Sequence, residues 1–232
     1  MIRTTSSRPA SASGSVPPGA RKSAEPPANL RVAWIKALIF LLSLIPLAKL
    51  VILAATGHLG ANPIEKITHT TGWWTLAFLL IGLSVTPLRR LSGLTWLGRM
   101  RRMLGLFAFF YACLHFLTYL VIDQFFDWPA IVKDIMKRPY ITVGFTAFLL
   151  LIPLAATSTD AMQRRLGGRL WRRLHRSIYF IAPLGVTHFW WLVKKDIREP
   201  AAFAAALALL LGFRLIDTGV ARLRLRAGAK SS

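Results

Sequence analysis

The sequence predicts an all-α, polytopic membrane protein, a six-transmembrane-helix bundle with both termini cytoplasmic. Three observations predict it. Hydrophobic residues make up 54% of the 232, and mean hydropathy is +0.49. The apolar residues gather into six long runs instead of spreading over one face of many short elements. Lys and Arg, 30 against 9 acidic residues, concentrate in alternate connecting segments, as charge does across a membrane.

Residues 1–33 come first, rich in Ser, Pro and Ala with five basic residues and no helix or strand period. They are expected to form a disordered, basic cytoplasmic tail. A cleaved signal peptide does not suit this region, because the first apolar run is long and begins far from Met1. The membrane domain is expected over 34–217, with spans near 34–56, 73–88, 103–122, 140–157, 177–193 and 200–217. Each approaches the roughly 20 apolar residues that a crossing helix needs. Residues 218–232 are expected as a short cytoplasmic tail.

Counting Lys and Arg segment by segment orients these spans. The set 1–33, 89–102, 158–176 and 218–232 holds 20, whereas 57–72, 123–139 and 194–199 hold 7. The first set is therefore expected on the cytoplasmic side. The same asymmetry accounts for the net charge of +21. Arginines that meet anionic headgroups of the lipid bilayer raise the pI with no nucleic acid partner, and repeated apolar spans exclude a soluble groove reader.

The single cysteine, Cys113, excludes an intrachain disulfide and any Cys-based metal motif. The five histidines carry more information. His58 and His69 fall beside Gly57, Asn62 and Pro63, where solvated loop residues are expected. His115 lies inside the third run, "FFYACLHFLTYLV", where an ionisable group is costly and functional by default. Ala112, Ala108 and Gly105 share its helical face; His188, in "LGVTHFWWLV", has Gly185 and Ala182 before it. A small-residue face admits another helix or a flat macrocycle.

His175, in "WRRLHRSIYF", is expected at the cytoplasmic end of the helix that carries His188. Thirteen residues of helix rise about 20 Å, so these two cannot ligate one iron from opposite sides. His115 and His188, by contrast, stand about 18 to 20 Å beyond Arg102 and Arg176 on parallel spans. Two neutral imidazoles at equal depth suit axial ligation of a b-type heme in a helical bundle. Hydrogen bonds to hydroxyls such as Thr118 or Thr187 are the structural alternative. His175 has Arg172, Arg173 and Arg176 around it, with Trp171 and Tyr179 nearby. That set suits the propionates of a second heme, a flavin phosphate, a quinone headgroup, or an interfacial His among lipid-facing arginines. No glycine-rich nucleotide fingerprint is present, so electrons are expected from quinol or a separate flavoprotein.

Four stretches in this order, "TGWWTLAFLLIGLSVTPLRRL", "RRMLGLFAFFYACLHFLTY", "KRPYITVGFTAFLLLIPLAATSTDAMQRRLG" and "WRRLHRSIYFIAPLGVTHFWW", resemble the heme-binding membrane subunits of bacterial protein-methionine-sulfoxide reductase systems. These belong to the ferric-reductase-like transmembrane family. The resemblance implies a multi-pass cytochrome b of the bacterial inner membrane, with heme b and FMN. It implies an electron-transfer subunit, distinct from the catalytic reductase, that passes electrons from quinol to the periplasmic molybdopterin reductase MsrP, which repairs methionine sulfoxide. The family's histidines match His115, His175 and His188. Larger ferric-reductase relatives carry two histidines on each of two helices, and the third span here has one, which leaves the partner of His175 open. A cytochrome subunit for another reductase, or a non-redox transporter, fits the same hydropathy.

Overall fold

The computed structural model describes residues 28–228, so most of the 1–33 tail and the last four residues of the C-terminal tail lie outside the described residues. Among the described residues the chain is helical and without strands, with α1 (Ala28–Ala55), α2 (Pro63–Ser92), α3 (Arg101–Leu117), α4 (Trp128–Lys137), α5 (Pro139–Ala156), α6 (Asp160–His175), α7 (Ile178–Leu192) and α8 (Arg198–Gly228). A 3₁₀ turn over Thr95–Met100 leads into α3, and a π-helical turn over Thr118–Asp123 follows it. Five helical stretches are long and apolar enough to cross a membrane: Leu30–Ala55, Pro63–Ser92, Thr95–Asp123, Pro139–Ala156 and Arg198–Val220. The expected fifth span, Ile178–Leu192, is apolar but has only 15 residues, about 22 Å of rise. One face of it, with Ile181 and Ala182 at 0% and 1% exposure, packs into the protein, while Phe180 and Trp191 on the other face are exposed.

Helix boundaries follow local chemistry. Asn62 caps α2 by accepting from the Glu65 N–H at 3.2 Å and donates to the Glu65 carboxylate at 2.9 Å, with Pro63 in the first turn. More than half of the expected outer segment 57–72 is thereby helical, and His69, expected in a loop, sits on α2. Asp127 caps α4 through the Ala130 N–H at 3.0 Å, inside the segment 123–139. Thr159 caps α6 through the Met162 N–H at 3.2 Å. Helix α6 carries five arginines, too costly to bury in hydrocarbon. The chain turns at Arg176 and Ser177 before α7 begins. His175 and His188 therefore belong to two helices, not to the single helix expected from the sequence.

The core lies where α2, α3 and α7 meet. Phe78 stacks between Phe107 at 5.6 Å and Tyr111 at 5.4 Å, and Ala108, 0% exposed, lets backbones approach closely. Helix α1 leans on this core through one polar insertion. Pro46 interrupts the α1 hydrogen-bond ladder. The fully buried Tyr111 hydroxyl donates to the Ser43 carbonyl at 2.8 Å and accepts from the Leu47 N–H at 3.2 Å. Those two backbone groups would pair with each other in an unbroken helix.

Candidate functional site

Helix α3 presents His115 and α7 presents His188 to each other. Their ring centroids are 6.1 Å apart and their planes nearly perpendicular, at 81°. Each ring is anchored from behind by a backbone carbonyl. His115 Nδ1 lies 2.9 Å from the Thr68 carbonyl oxygen on α2, and His188 Nδ1 lies 2.6 Å from that of Tyr140 on α5. A carbonyl only accepts, so each Nδ1 carries the proton and donates it. Each Nε2 is left with a lone pair. The partners are main-chain groups, not the hydroxyls of the structural alternative: Thr118 donates to the Leu114 carbonyl at 2.8 Å instead.

Both anchors share one design. Thr68 is four residues before Gly72, and Tyr140 four before Gly144. In a helix the carbonyl of residue i already pairs with the N–H of residue i+4, and the side chain at i+4 stands over its remaining lone pair. Glycine at that position opens the approach. A Cβ on Gly72 would lie 3.1 Å from His115 Nδ1, and one on Gly144 only 2.5 Å from His188 Nδ1. Neither glycine was singled out from the sequence. The available signal was that glycine inside a helix costs about 1 kcal/mol relative to Ala, which favours positions that need close approach.

Most of the small residues expected beside the histidines, Ala108, Ala112, Ala182 and Gly185, serve packing. Ala108 and Ala112 are buried in the core. A Cβ on Gly185 would meet Leu76 at 2.8 Å, and Gly105 faces open space. Around the paired imidazoles, His69 meets Phe189 edge-on at 5.7 Å and stands 3.8 Å from the Glu199 carboxylate.

His175 is not brought to this pair. Its ring stacks on Trp171 with centroids 4.0 Å apart, and its Nε2 lies 3.1 Å from Thr157 Oγ1. Thr157 spends its own proton on the Pro153 carbonyl at 2.6 Å, so His175 Nε2 is the donor there. In the neutral ring the lone pair is then on Nδ1, the reverse of the other two. Burial holds the His175 imidazolium below its ordinary pKa. Arg172, Arg173 and Arg176 are exposed around it.

Among the described residues no three His, Cys, Asp or Glu side chains converge on a metal-sized site. The His115 and His188 pair therefore offers two neutral nitrogens and no more. Imidazole nitrogens bind metals at roughly 2.0 to 2.1 Å, so two across one ion stand about 4 Å apart. The 6.1 Å between ring centres accommodates that span. An ion held there must bring its other ligands with it.

Residues 70–186 match the family model described as ferric reductase like transmembrane component. Among curated relatives, the protein-methionine-sulfoxide reductase heme-binding subunit MsrQ of Herminiimonas arsenicoxydans is 54% identical over 191 residues, covering 82% of this chain and 88% of the relative. The chain belongs to the MsrQ family. The subunit of the same name from Ralstonia nicotianae is 55% identical over 192 residues, 82% of this chain and 88% of the relative. That from Xanthomonas campestris pv. campestris is 60% identical over 157 residues, with 68% and 72% coverage. An MsrQ family chain with several membrane-crossing helices is a membrane protein. The ferric-reductase-like match takes in Gly72, His115, Gly144 and His175, and it ends two residues before His188. The relatives' printed names call them heme-binding.

Proposed function

We propose that this chain is the heme-binding membrane subunit of a protein-methionine-sulfoxide reductase system, a six-span cytochrome b of the bacterial inner membrane with both termini cytoplasmic. The observation that carries the reading is the facing pair His115 and His188, each with Nδ1–H tied to a carbonyl and Nε2 free. Heme b, when bound, would supply one-electron chemistry at its iron.

His115 and His188 would hold the heme iron through their free Nε2 atoms, an all-imidazole donor set that suits electron transfer. The carbonyls of Thr68 and Tyr140 fix the ring orientations and raise the basicity of each Nε2. The apolar surroundings of α2, α3, α5 and α7 keep water from the pair. Electrons enter from the quinone pool and leave toward MsrP, with which this chain pairs as its membrane subunit. The outward segments 57–72, 123–139 and 194–199 are the docking candidates. His175, with Arg172, Arg173 and Arg176, is retained as a second redox site at the cytoplasmic side, favoured by the stacked Trp171 ring. FMN remains an implication of the resemblance, with no residue assigned to it.

Reduced-minus-oxidised spectra of membranes carrying wild type, His115→Ala, His188→Ala and His175→Ala test the reading. The b-type bands should vanish in the first two variants and survive in the third, shifted at most. Full, unshifted bands in His115→Ala would overturn the pairing.

A further inference from the structure

Away from the histidine pair, at the end of the bundle where α2 finishes and α3 begins, three arginines gather around a single hydroxyl and a single carboxylate. Arg90 pairs with Asp217 of α8. Thr86 Oγ1 accepts from Arg101 and also from Arg214 Nη2 at 2.8 Å. The Arg214 guanidinium lies over the Tyr179 ring, 4.5 Å from its centroid. Three positive charges thus face one negative charge, and two of the cations share one neutral oxygen.

The Thr86 side chain is the second observation. The residue is 8% exposed. Thr71, Thr75, Thr118 and Thr157 each turn their hydroxyl proton back to a helix carbonyl. Among the described residues Thr86 donates to none, so its O–H is available to an outside acceptor. It lines a groove between α2, α7 and α8 whose other walls are Leu83, Pro87, Leu210, Leu211 and Phe213, with Tyr179, Arg214 and Asp217 at its polar edge.

Two guanidinium forks and a hydroxyl aimed at one place match an anion with several acceptor oxygens, as a phosphate offers. The groove has about 10 Å³ of accessible space, room for one headgroup oxygen, so a hydrocarbon body would lie along the apolar residues at its mouth. We propose that this groove is a specific site for an anionic phospholipid, its phosphate held by Arg214, Arg101 and the Thr86 hydroxyl. Basic pockets between membrane helices select such headgroups. Exposed arginines on α6 away from His175, such as Arg165, offer a charge without the shared hydroxyl and would not select one lipid.

Native mass spectrometry of the full chain in detergent tests this, with phosphatidylglycerol, phosphatidylethanolamine or glycerol 1-phosphate added. One phosphatidylglycerol adduct should survive activation that strips phosphatidylethanolamine. Arg214→Gln and Arg101→Gln should each lower its retained fraction about tenfold, the loss expected for one charge-assisted hydrogen bond, and Arg165→Gln should not. Thr86→Val, nearly isosteric, removes the shared acceptor and the free donor should an arginine variant fail to fold. Equal retention of both lipids, or phosphatidylglycerol retention unchanged in Arg214→Gln and Thr86→Val, would overturn the proposal. So would glycerol 1-phosphate binding as well as the lipid, which would make this a soluble phosphate site.

Discussion

The imidazoles of His115 and His188 meet edge to face with centroids 6.1 Å apart, although 73 positions separate them in the chain. Each is pressed from behind by a helix that carries glycine at the contact. The chain thus builds one arrangement twice, with α2 behind α3 and α5 behind α7.

The two glycines should not be equally sensitive. A Cβ at Gly144 would lie 2.5 Å from His188 Nδ1, whereas at Gly72 the contact with His115 is 3.1 Å. Gly144→Ala must move the ring or the helix, at an overpacking cost of about 1 to 3 kcal/mol. Gly72→Ala needs a shift of a few tenths of an ångström. We expect Gly144→Ala to alter the b-type spectrum and midpoint potential and to lower thermal stability, and Gly72→Ala to do less of each. Alanine otherwise favours a helix by about 1 kcal/mol, so a stabilised Gly144→Ala with an unchanged spectrum would refute the clash.

Tyr111→Phe should loosen α1. The substitution keeps the stacked ring but removes the hydroxyl that serves Ser43 and Leu47 at the Pro46 turn. Leaving buried backbone groups without it should cost about 1 to 3 kcal/mol, read as a lower melting temperature and faster hydrogen exchange around residues 43–47. Tyr119→Phe, whose hydroxyl reaches Asp134 only at 3.4 Å, should cost less.

Burial holds the His175 pKa below that of a free imidazole, ordinarily about 6.5. The unfolded chain therefore takes up the proton at a higher pH than the folded one does. The contribution to stability is fully present above about pH 6.5 and is lost as pH falls through the folded value. Wild type should lose stability on acidification from about pH 7 to 5 more steeply than His175→Gln. Parallel thermal-melt profiles for the two proteins would show that the ring does not resist protonation.

The Arg102 and Asp160 pair joins the start of α3 to the start of α6, and Arg102 holds the Asp160 carboxyl below the usual range. Both groups are exposed, so solvent screens the pair and Asp160→Asn should change stability little. A larger loss in chemical denaturation would mean that the pair anchors α6.

Topology has its own test. A reporter joined after Asp123, where the extension of α3 ends, should report the periplasm. A cytoplasmic signal there would invert the charge-based orientation.

Hydropathy and charge, read along the chain, were enough for an all-helical membrane protein and for the choice of His115 and His188, because apolar runs and a histidine within one are local facts. The motifs also sufficed for the family. Helix rise from the flanking arginines matched the two histidines in depth, which needs no tertiary information. The break between His175 and His188 was not legible as hydropathy, because α6 and α7 adjoin and only the turn at Arg176 and Ser177 separates their directions.

Packing alone decided what lies behind each imidazole. A backbone carbonyl has no signature in sequence, since every residue has one; only the crossing of α2 on α3 and of α5 on α7 brings Thr68 and Tyr140 to the Nδ1 atoms. The same holds for Arg101 and Arg214. In sequence they are two arginines among many at a charged boundary, and they come together because α3 and α8 each bring one to Thr86 of α2. Composition and hydropathy determined that the chain is helical and where its long apolar helices run. Tertiary structure decided which polar atoms come within hydrogen-bonding distance, because that distance depends on side-chain volumes at helix crossings, down to the missing Cβ of Gly72 and Gly144.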